Sequence, residues 1–299
     1  MGAFRVRSHR PPLARRRPLP AGRLPCIFHA MIGRAIGFGF ATARDFVARG
    51  LIRAGIGPNA LTLTGMLLTI GAGVCYALGA GSRFAASLSV GPGGADAYLL
   101  LAGVLLILSS ACDMLDGAVA RLGAKATRFG AFLDSTLDRF SDFAVYAGIA
   151  VYYARQSPAN VTFVLMSMLA FFNAFMISYA RARAEDIIDA CRVGYWQRGE
   201  RSAAVLIATF AYNTPALLCQ QAVLPMLTVL RRVLYTRAAI AGRQPPTDPR
   251  GGPLHLRLRL WRWPRMTIPY DLVTGLNIAW LIFAPVGDID PIRWLAGPG

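Results

Sequence analysis

Asp113, Asp116, Asp134 and Asp138 are four carboxylates set among apolar runs, with Gly117, Ala120, Arg121 and Gly130 between them. Charge inside or beside a bilayer-spanning segment is costly, so such residues mark function by default. Carboxylates this close in sequence repel one another unless something positive lies between them. The simplest such centre is a divalent cation. Hard oxygen donors suit magnesium or manganese, and suit zinc less well without His or Cys. Magnesium keeps water ligands and takes substrate phosphate as well, and two ions can clamp a phosphoryl group with its leaving group. One Asp at a helix end is ordinarily an interfacial residue. Two pairs in facing registers, with Gly and Arg at set offsets, weigh against that for the set. Asp142, one turn beyond Asp138, reads more simply as a structural hydrogen-bonding residue.

Helices must position these groups. Asp113, Asp116, Gly117, Ala120 and Arg121 fall within an arc of about 140° on one helix face. Asp134 and Asp138, at i and i+4, share a face of the next helix. The short loop between them predicts antiparallel neighbours, with both pairs facing each other at one end of a bundle. Gly117 and Ala120 are small enough for a phosphate to approach the backbone. Arg121 offers a planar fork of donors that can neutralise phosphate charge.

The rest of the chain fits such a bundle. Of 299 residues, 55% are hydrophobic and 16% charged, with a mean hydropathy of +0.44. That is too apolar for an ordinary soluble domain, and several windows approach the roughly 20 apolar residues that cross a bilayer. The chain is expected to be all-α and polytopic. Its net charge of +17 could serve nucleic acid or anionic lipid. The hydropathy favours anionic membrane lipid and argues against a nucleic-acid partner. The cysteines show no paired metal spacing and read as small buried hydrophobes. The three histidines lie outside the main helices, so histidine catalysis is not expected.

Residues 1–30 hold seven arginines, five prolines and no acid. They read as a disordered basic tail with no apolar core of signal-peptide length. Met31 to Ile56 mixes apolar residues with arginines, as an amphipathic helix along the interface would. Six spans follow, at 60–80, 98–120, 129–153, 161–182, 202–212 and 216–240. Arginines cluster in the N-terminal tail and in 121–128, 183–201 and 231–243, while the alternate loops carry almost none. The positive-inside rule then places both ends of a six-span bundle, and the acidic cluster, at the cytoplasm. Residues 241–266 form a second basic linker. Thr267 to Val286 is expected to lie at the interface, or to form a weak seventh span.

The residues read D-x-x-D-G-x-x-A-R, then eight residues, then G-x-x-x-D-x-x-x-D. This resembles the signature of the CDP-alcohol phosphatidyltransferase family, over roughly 31–240. The resemblance implies an all-α membrane domain of six transmembrane helices at 31–240, preceded by the interfacial helix, usually as a homodimer in the bacterial cell membrane. It implies two magnesium or manganese ions held by Asp113, Asp116, Asp134 and Asp138. Asp138 would also be the base that deprotonates an acceptor hydroxyl. That oxygen would attack the lipid-side phosphorus of a CDP-diacylglycerol-type lipid, and CMP would leave. Gly117, Arg121 and Thr127 match positions that contact the CDP moiety. Pro58-Asn59-Ala60-Leu61-Thr62 resembles the segment that closes over cytidine, with Asn59 and Thr62 as its contacts. It could equally be an ordinary Pro/Asn helix start.

Ser178 to Glu185 and Arg198 to Arg201 resemble segments of the phosphatidylinositol-phosphate synthase branch, which has an archaeal ether-lipid form. There the positions matching Ser178, Arg181, Arg183 and Arg201 line a pocket for the phosphate of a small polyol-phosphate acceptor. Position 181 carries Arg where Lys is usual. Several arginines suit a phosphorylated acceptor: inositol phosphate first, glycerol 3-phosphate close behind. The plain alternative is positive-inside anchoring; Arg198 divides evenly between the two, while the pocket is favoured for Arg183 and Arg201. Two other classes compete. A membrane ion or proton transporter would spread its carboxylates across the membrane depth. A non-catalytic anchor would leave the carboxylate pairs without a role.

Overall fold

The computed structural model describes residues 27–81, 97–242, 254–261, 263, 265, 267–287 and 290–292. The basic tail up to residue 26, the loop 82–96 and the linker 243–253 lie outside the described residues. Among the described residues there are ten helices and no strand: α1 (Ile27–Arg53), α2 (Pro58–Leu78), α3 (Ala97–Leu122), α4 (Arg128–Ala154), α5 (Val161–Glu185), α6 (Arg198–Phe210), α7 (Thr214–Val223), α8 (Met226–Ile240), α9 (Leu254–Leu260) and α10 (Ile268–Phe283). The chain divides into two compact units, Met1–Ala43 and Arg44–Gly299. In the first, the described residues are the opening turns of α1. The site lies in the second.

Several helices start at a residue suited to a helix start. Pro58 occupies the first turn of α2, where its missing N–H costs nothing. Thr127 caps α4 by accepting from the Gly130 N–H, and Asn160 caps α5 by accepting from the Phe163 N–H. Asn213 caps α7, and Pro215 follows in its first turn.

α2 is the central helix of the site, and this corrects one expectation. The short loop predicts α3 and α4 as direct neighbours. Instead each packs along α2. The reason is the small-residue pattern of α2. A Cβ on Gly65 would lie 3.3 Å from Cys112 Cβ of α3. At the α2–α4 crossing Gly73 meets Gly148, and a Cβ on Gly148 would fall 2.0 Å from the Gly73 carbonyl oxygen. Glycine lets helix backbones approach this closely, which is how packing is won where lipid removes the hydrophobic drive. Beyond this trio, α5 packs on α4, α7 and α8, and α6 packs on α3, α7 and α10. The core between them is rich in rings. Tyr76 hydrogen-bonds Thr209, and the Tyr153 and Phe163 rings sit 4.8 Å apart.

The helical architecture is as expected, and the six spans are matched in part. Among the described residues, four segments are long and apolar enough to cross a membrane: Pro58–Leu78, Ala97–Leu122, Val161–Glu185 and Thr214–Ile240, the last being α7 and α8 together. α4 has the length, but Arg128, Asp134, Asp138, Arg139 and Asp142 crowd its first half. α6, expected as span five, has 13 residues and is about 20 Å long at 1.5 Å per residue. The outward faces of α2 and α5 are apolar, with Leu63, Leu67, Val74, Leu165, Met168 and Phe172 exposed. Such faces suit lipid rather than water. α10, expected at the interface, packs against α6 and α7. Its Leu281 is buried, and its Trp280 Nε1 donates to the Ala216 carbonyl at 2.9 Å.

Candidate active site

Three of the four carboxylates converge. Asp113, Asp116 and Asp134 each offer an oxygen within 4.8 Å of the others. α3 supplies the first two from adjacent turns, and α4 supplies the third. Asp116 is buried, and its Oδ2 accepts from Thr62 Oγ1 of α2 at 2.8 Å. Such a set of hard oxygen donors fits a divalent cation such as magnesium or manganese. Asp138, one turn along α4 from Asp134, stands outside this group. It pairs with Arg198, which also reaches Asp113 at 3.3 Å, and Arg139 lies 3.7 Å away.

Two cavities open on either side of this cluster. The smaller, about 160 Å³, is lined by Asn59 and Thr62 of α2, Asp116, Gly117 and Ala120 of α3, and Thr127, Gly130 and Asp134 around the start of α4. Four of the five residues expected to contact the CDP lipid therefore share one wall. Small side chains shape it. A Cβ on Gly130 would crowd Thr127 Oγ1 at 3.1 Å and Asn59 Oδ1 at 3.3 Å. The fifth residue, Arg121, folds back over Gly117, where a Cβ would lie 3.2 Å from its Nη1.

The larger cavity, about 330 Å³, lies between α3, α4 and α6. Ser109, Asp113, Ser141, Asp142, Arg198 and Arg201 bring polar groups to it, while Leu106, Val145 and Leu206 close its apolar side. Arg201 is buried and pairs with Asp142 at 3.4 Å. This accounts for Asp142, whose partner could not be read from the sequence.

The remaining acceptor candidates lie elsewhere. Arg181 pairs with Glu185 and Arg183 with Asp186, each at 2.9 Å along α5 and its end. Arg183 is well exposed and Arg181 half-buried, and Ser178 bonds back to the Ala174 carbonyl at 3.4 Å. None of the three lines the larger cavity. Sequence reasoning left Arg198 undecided, and the fold sets it against two of the four carboxylates. The available signal was the pair of arginines flanking Gly199-Glu200 at a helix start.

A further arginine does structural work that its place in a basic loop concealed. Arg232 of α8 is buried. It donates to the carbonyls of Ile177 and Val193 and, at 2.8 Å, to Gln197 Oε1. Gln197 is the residue just before α6, so Arg232 ties α5 and the 186–197 connection to the start of that helix.

An apolar helical assembly that gathers three carboxylates between a glycine-walled cavity and an arginine-bearing one defines a membrane enzyme that handles phosphates. The sequence profile of the CDP-alcohol phosphatidyltransferase family matches residues 56–244, and the chain belongs to that family. It is a metal-binding transferase of phospholipid biosynthesis. Archaetidylinositol phosphate synthase of Methanothermobacter thermautotrophicus is 33% identical over 189 residues, 61% of this chain and 84% of that one. Phosphatidylinositol phosphate synthase of Cutibacterium acnes is 31% identical over 220 residues, 67% and 95% of the two chains. The crystal structure of Mycobacterium tuberculosis phosphatidylinositol phosphate synthase with manganese and citrate superposes with a TM-score of 0.55 at 27% identity, covering 65% of this chain and 88% of that one. Its form with CDP-DAG bound gives 0.53 at 27% identity, over 64% and 92%.

Proposed function

We propose that this enzyme transfers a phosphatidyl group from a CDP-diacylglycerol-type lipid to a hydroxyl of inositol phosphate, releasing CMP. The observation that carries this reading is the carboxylate cluster standing between two unlike cavities. The smaller, with its close backbone and small side chains, suits the CDP moiety. Asn59, Thr62, Gly117, Arg121 and Thr127 are its proposed contacts. The larger, bearing Arg198 and Arg201, suits an acceptor that carries its own phosphate. The relatives named as inositol phosphate lipid synthases favour inositol phosphate over glycerol 3-phosphate. Carboxylates gathered at one place argue against an ion path across the membrane.

Asp113, Asp116 and Asp134 would hold a divalent cation, magnesium or manganese, with Asp138 as a further ligand to a second ion. When bound, the metal supplies charge stabilisation for the pyrophosphate and the departing CMP. Asp138 takes the proton from the acceptor hydroxyl as its oxygen bonds to the lipid-side phosphorus. The bond from that phosphorus to the bridging oxygen breaks, and CMP leaves with the bridging oxygen. Arg198 holds Asp138 and Asp113 in place across the cavity mouth, and Arg201 meets the acceptor phosphate. Ser178, Arg181 and Arg183 would serve at most as an outer approach to this pocket.

The domain is 31–240, with the tail 1–30 and the segment 241–299 flanking it. The protein is a homodimer whose active site faces the cytoplasm, an orientation supported by the alternating arginine loops. The positive tail attracts anionic lipid. The test is to give the purified protein CDP-diacylglycerol, magnesium and a panel of alcohols and sugar phosphates. Product masses matching phosphatidylinositol phosphate support the reading. Turnover only with glycerol 3-phosphate, or none with any acceptor, would overturn it.

A further inference from the structure

The chain continues past the family-matched region, which ends at residue 244, and α10 belongs to that continuation. It touches the bundle at one residue of particular interest. Glu200 lies in the first turn of α6, between Arg198 and Arg201, and its side chain is 7% exposed. Its Oε1 accepts from Arg265 Nε at 3.0 Å, from Arg265 Nη2 at 2.7 Å and from the Tyr270 hydroxyl at 2.7 Å. Its Oε2 is buried without a hydrogen-bond partner. Every direct partner of this buried carboxylate named here comes from beyond residue 244. Gly199 permits the contact, because a Cβ there would lie 3.2 Å from Arg265 Nη2.

Gly199 also lines two cavities at once. One is the arginine-bearing cavity, and the other is a space of about 300 Å³ lined by Tyr195, Trp196, Glu200, Arg265 and Tyr270. The first turn of α6 is therefore a wall between the active site and the C-terminal segment. α10 is itself fixed along its length. Tyr195 OH and Thr274 Oγ1 are 3.0 Å apart, and Gln220 Nε2 donates to Asn277 Oδ1 at 2.9 Å. The anchor is thus stiff enough to define a position for Glu200.

We infer that the C-terminal segment is a positioning element for the acceptor side of the active site: Arg265 and Tyr270, through Glu200, set the first turn of α6 and with it Arg198 and Arg201. Removing their donors leaves a buried carboxylate unpaired. That is among the costlier local changes a protein can suffer, and the backbone moves to relieve it. The smaller cavity draws its lining from α2, α3, α4 and the loop before α4, so it is insulated from this movement. The two substrates are affected unequally for that reason.

The assignment of the larger cavity to the acceptor rests on the function proposed above, and the experiment keeps the two apart. Tyr270→Phe and Arg265→Gln are compared with the unmodified full chain in lipid nanodiscs, with Arg265→Lys as the conservative control. CMP release is measured against CDP-diacylglycerol and inositol phosphate separately, and inorganic phosphate affinity by equilibrium titration. The expected result is an acceptor KM raised about tenfold in Arg265→Gln and less in Tyr270→Phe. The CDP-lipid KM stays unchanged, and Arg265→Lys recovers part of the loss. Unchanged acceptor KM in both variants overturns the inference. So does a parallel loss in both substrates together with the folded fraction, which marks mere structural support. If the unmodified protein turns over no acceptor, the functional reading fails, and phosphate affinity decides: weaker in the variants upholds positioning of the arginines, equal rejects it.

Discussion

The two cavities beside the carboxylate cluster are built by opposite means. The smaller is made mostly by absence: Gly117, Ala120 and Gly130 leave space, Asn59, Thr62 and Thr127 edge it with short polar groups, and Lys125 is the one long cation among the described residues of its lining. The larger is made by long charged side chains reaching across a gap, Arg198 to Asp138 and Arg201 to Asp142. Short side chains on regular helices are fixed by local geometry. Long ones depend on everything that holds their helix in place. Here that means Arg232 beneath Gln197 and the C-terminal segment beside Glu200. Both walls join segments distant in sequence, but the first needs only close backbones, while the second needs long side chains held in place.

This contrast can be broken most severely at the carboxylates beside the two cavities. Asp138→Asn is expected to lower CMP release by about a thousandfold, the scale of a lost general base, with helical content by circular dichroism unchanged. A variant with near-normal turnover would remove Asp138 from the chemistry. Chelating divalent cations should bring a loss at least as large, reversed by added magnesium or manganese. Gly148→Ala forces the α2–α4 crossing apart and is expected to cost about 2 kcal/mol or more through overpacking. Its measure is the unfolding midpoint in detergent, and an unchanged midpoint would mean the crossing can relax freely.

Finer substitutions sharpen the division of labour. Arg201→Met should raise the acceptor KM about tenfold through loss of a charged hydrogen-bond donor, leaving the CDP-lipid KM alone. Thr62→Val removes the hydroxyl on Asp116 and should raise the CDP-lipid KM about fivefold. Equal effects of both variants on both substrates would show that the cavities are one site. Arg183→Gln should change either constant by less than about twofold, because exposed i,i+3 pairs contribute little. A tenfold acceptor effect would restore Arg183 to the pocket.

The family and the identity of the carboxylates were legible in the residues themselves. Costly charges at fixed spacing have few explanations, and helix periodicity alone brings Asp113 and Asp116 to one face. The smaller cavity was nearly as legible, since the resemblance pointed to Asn59, Thr62, Gly117 and Thr127, and small Gly117 and Ala120 offered a close approach. The roles of the arginines were not. Arg181, Arg183, Arg198, Arg201 and Arg232 look alike in a sequence rich in arginine. The fold pairs the first two with acids at the end of their own helix, turns Arg198 and Arg201 into the cavity, and buries Arg232 as a strut. The span count was legible only in part for a related reason. Hydropathy counts apolar residues, while α6 is a short helix that packs on α3, α7 and α10.

What the sequence determined by itself is the local part: helix starts, faces, and a set of carboxylates whose repulsion demands a cation. What only the tertiary structure decided is which helix lies between which, and which arginine meets which acid. Glycine on α2 draws α3 and α4 onto it instead of onto each other, and residues far beyond the motif hold α6 in place. Those outcomes depend on contacts between distant segments, and no spacing along the chain encodes them.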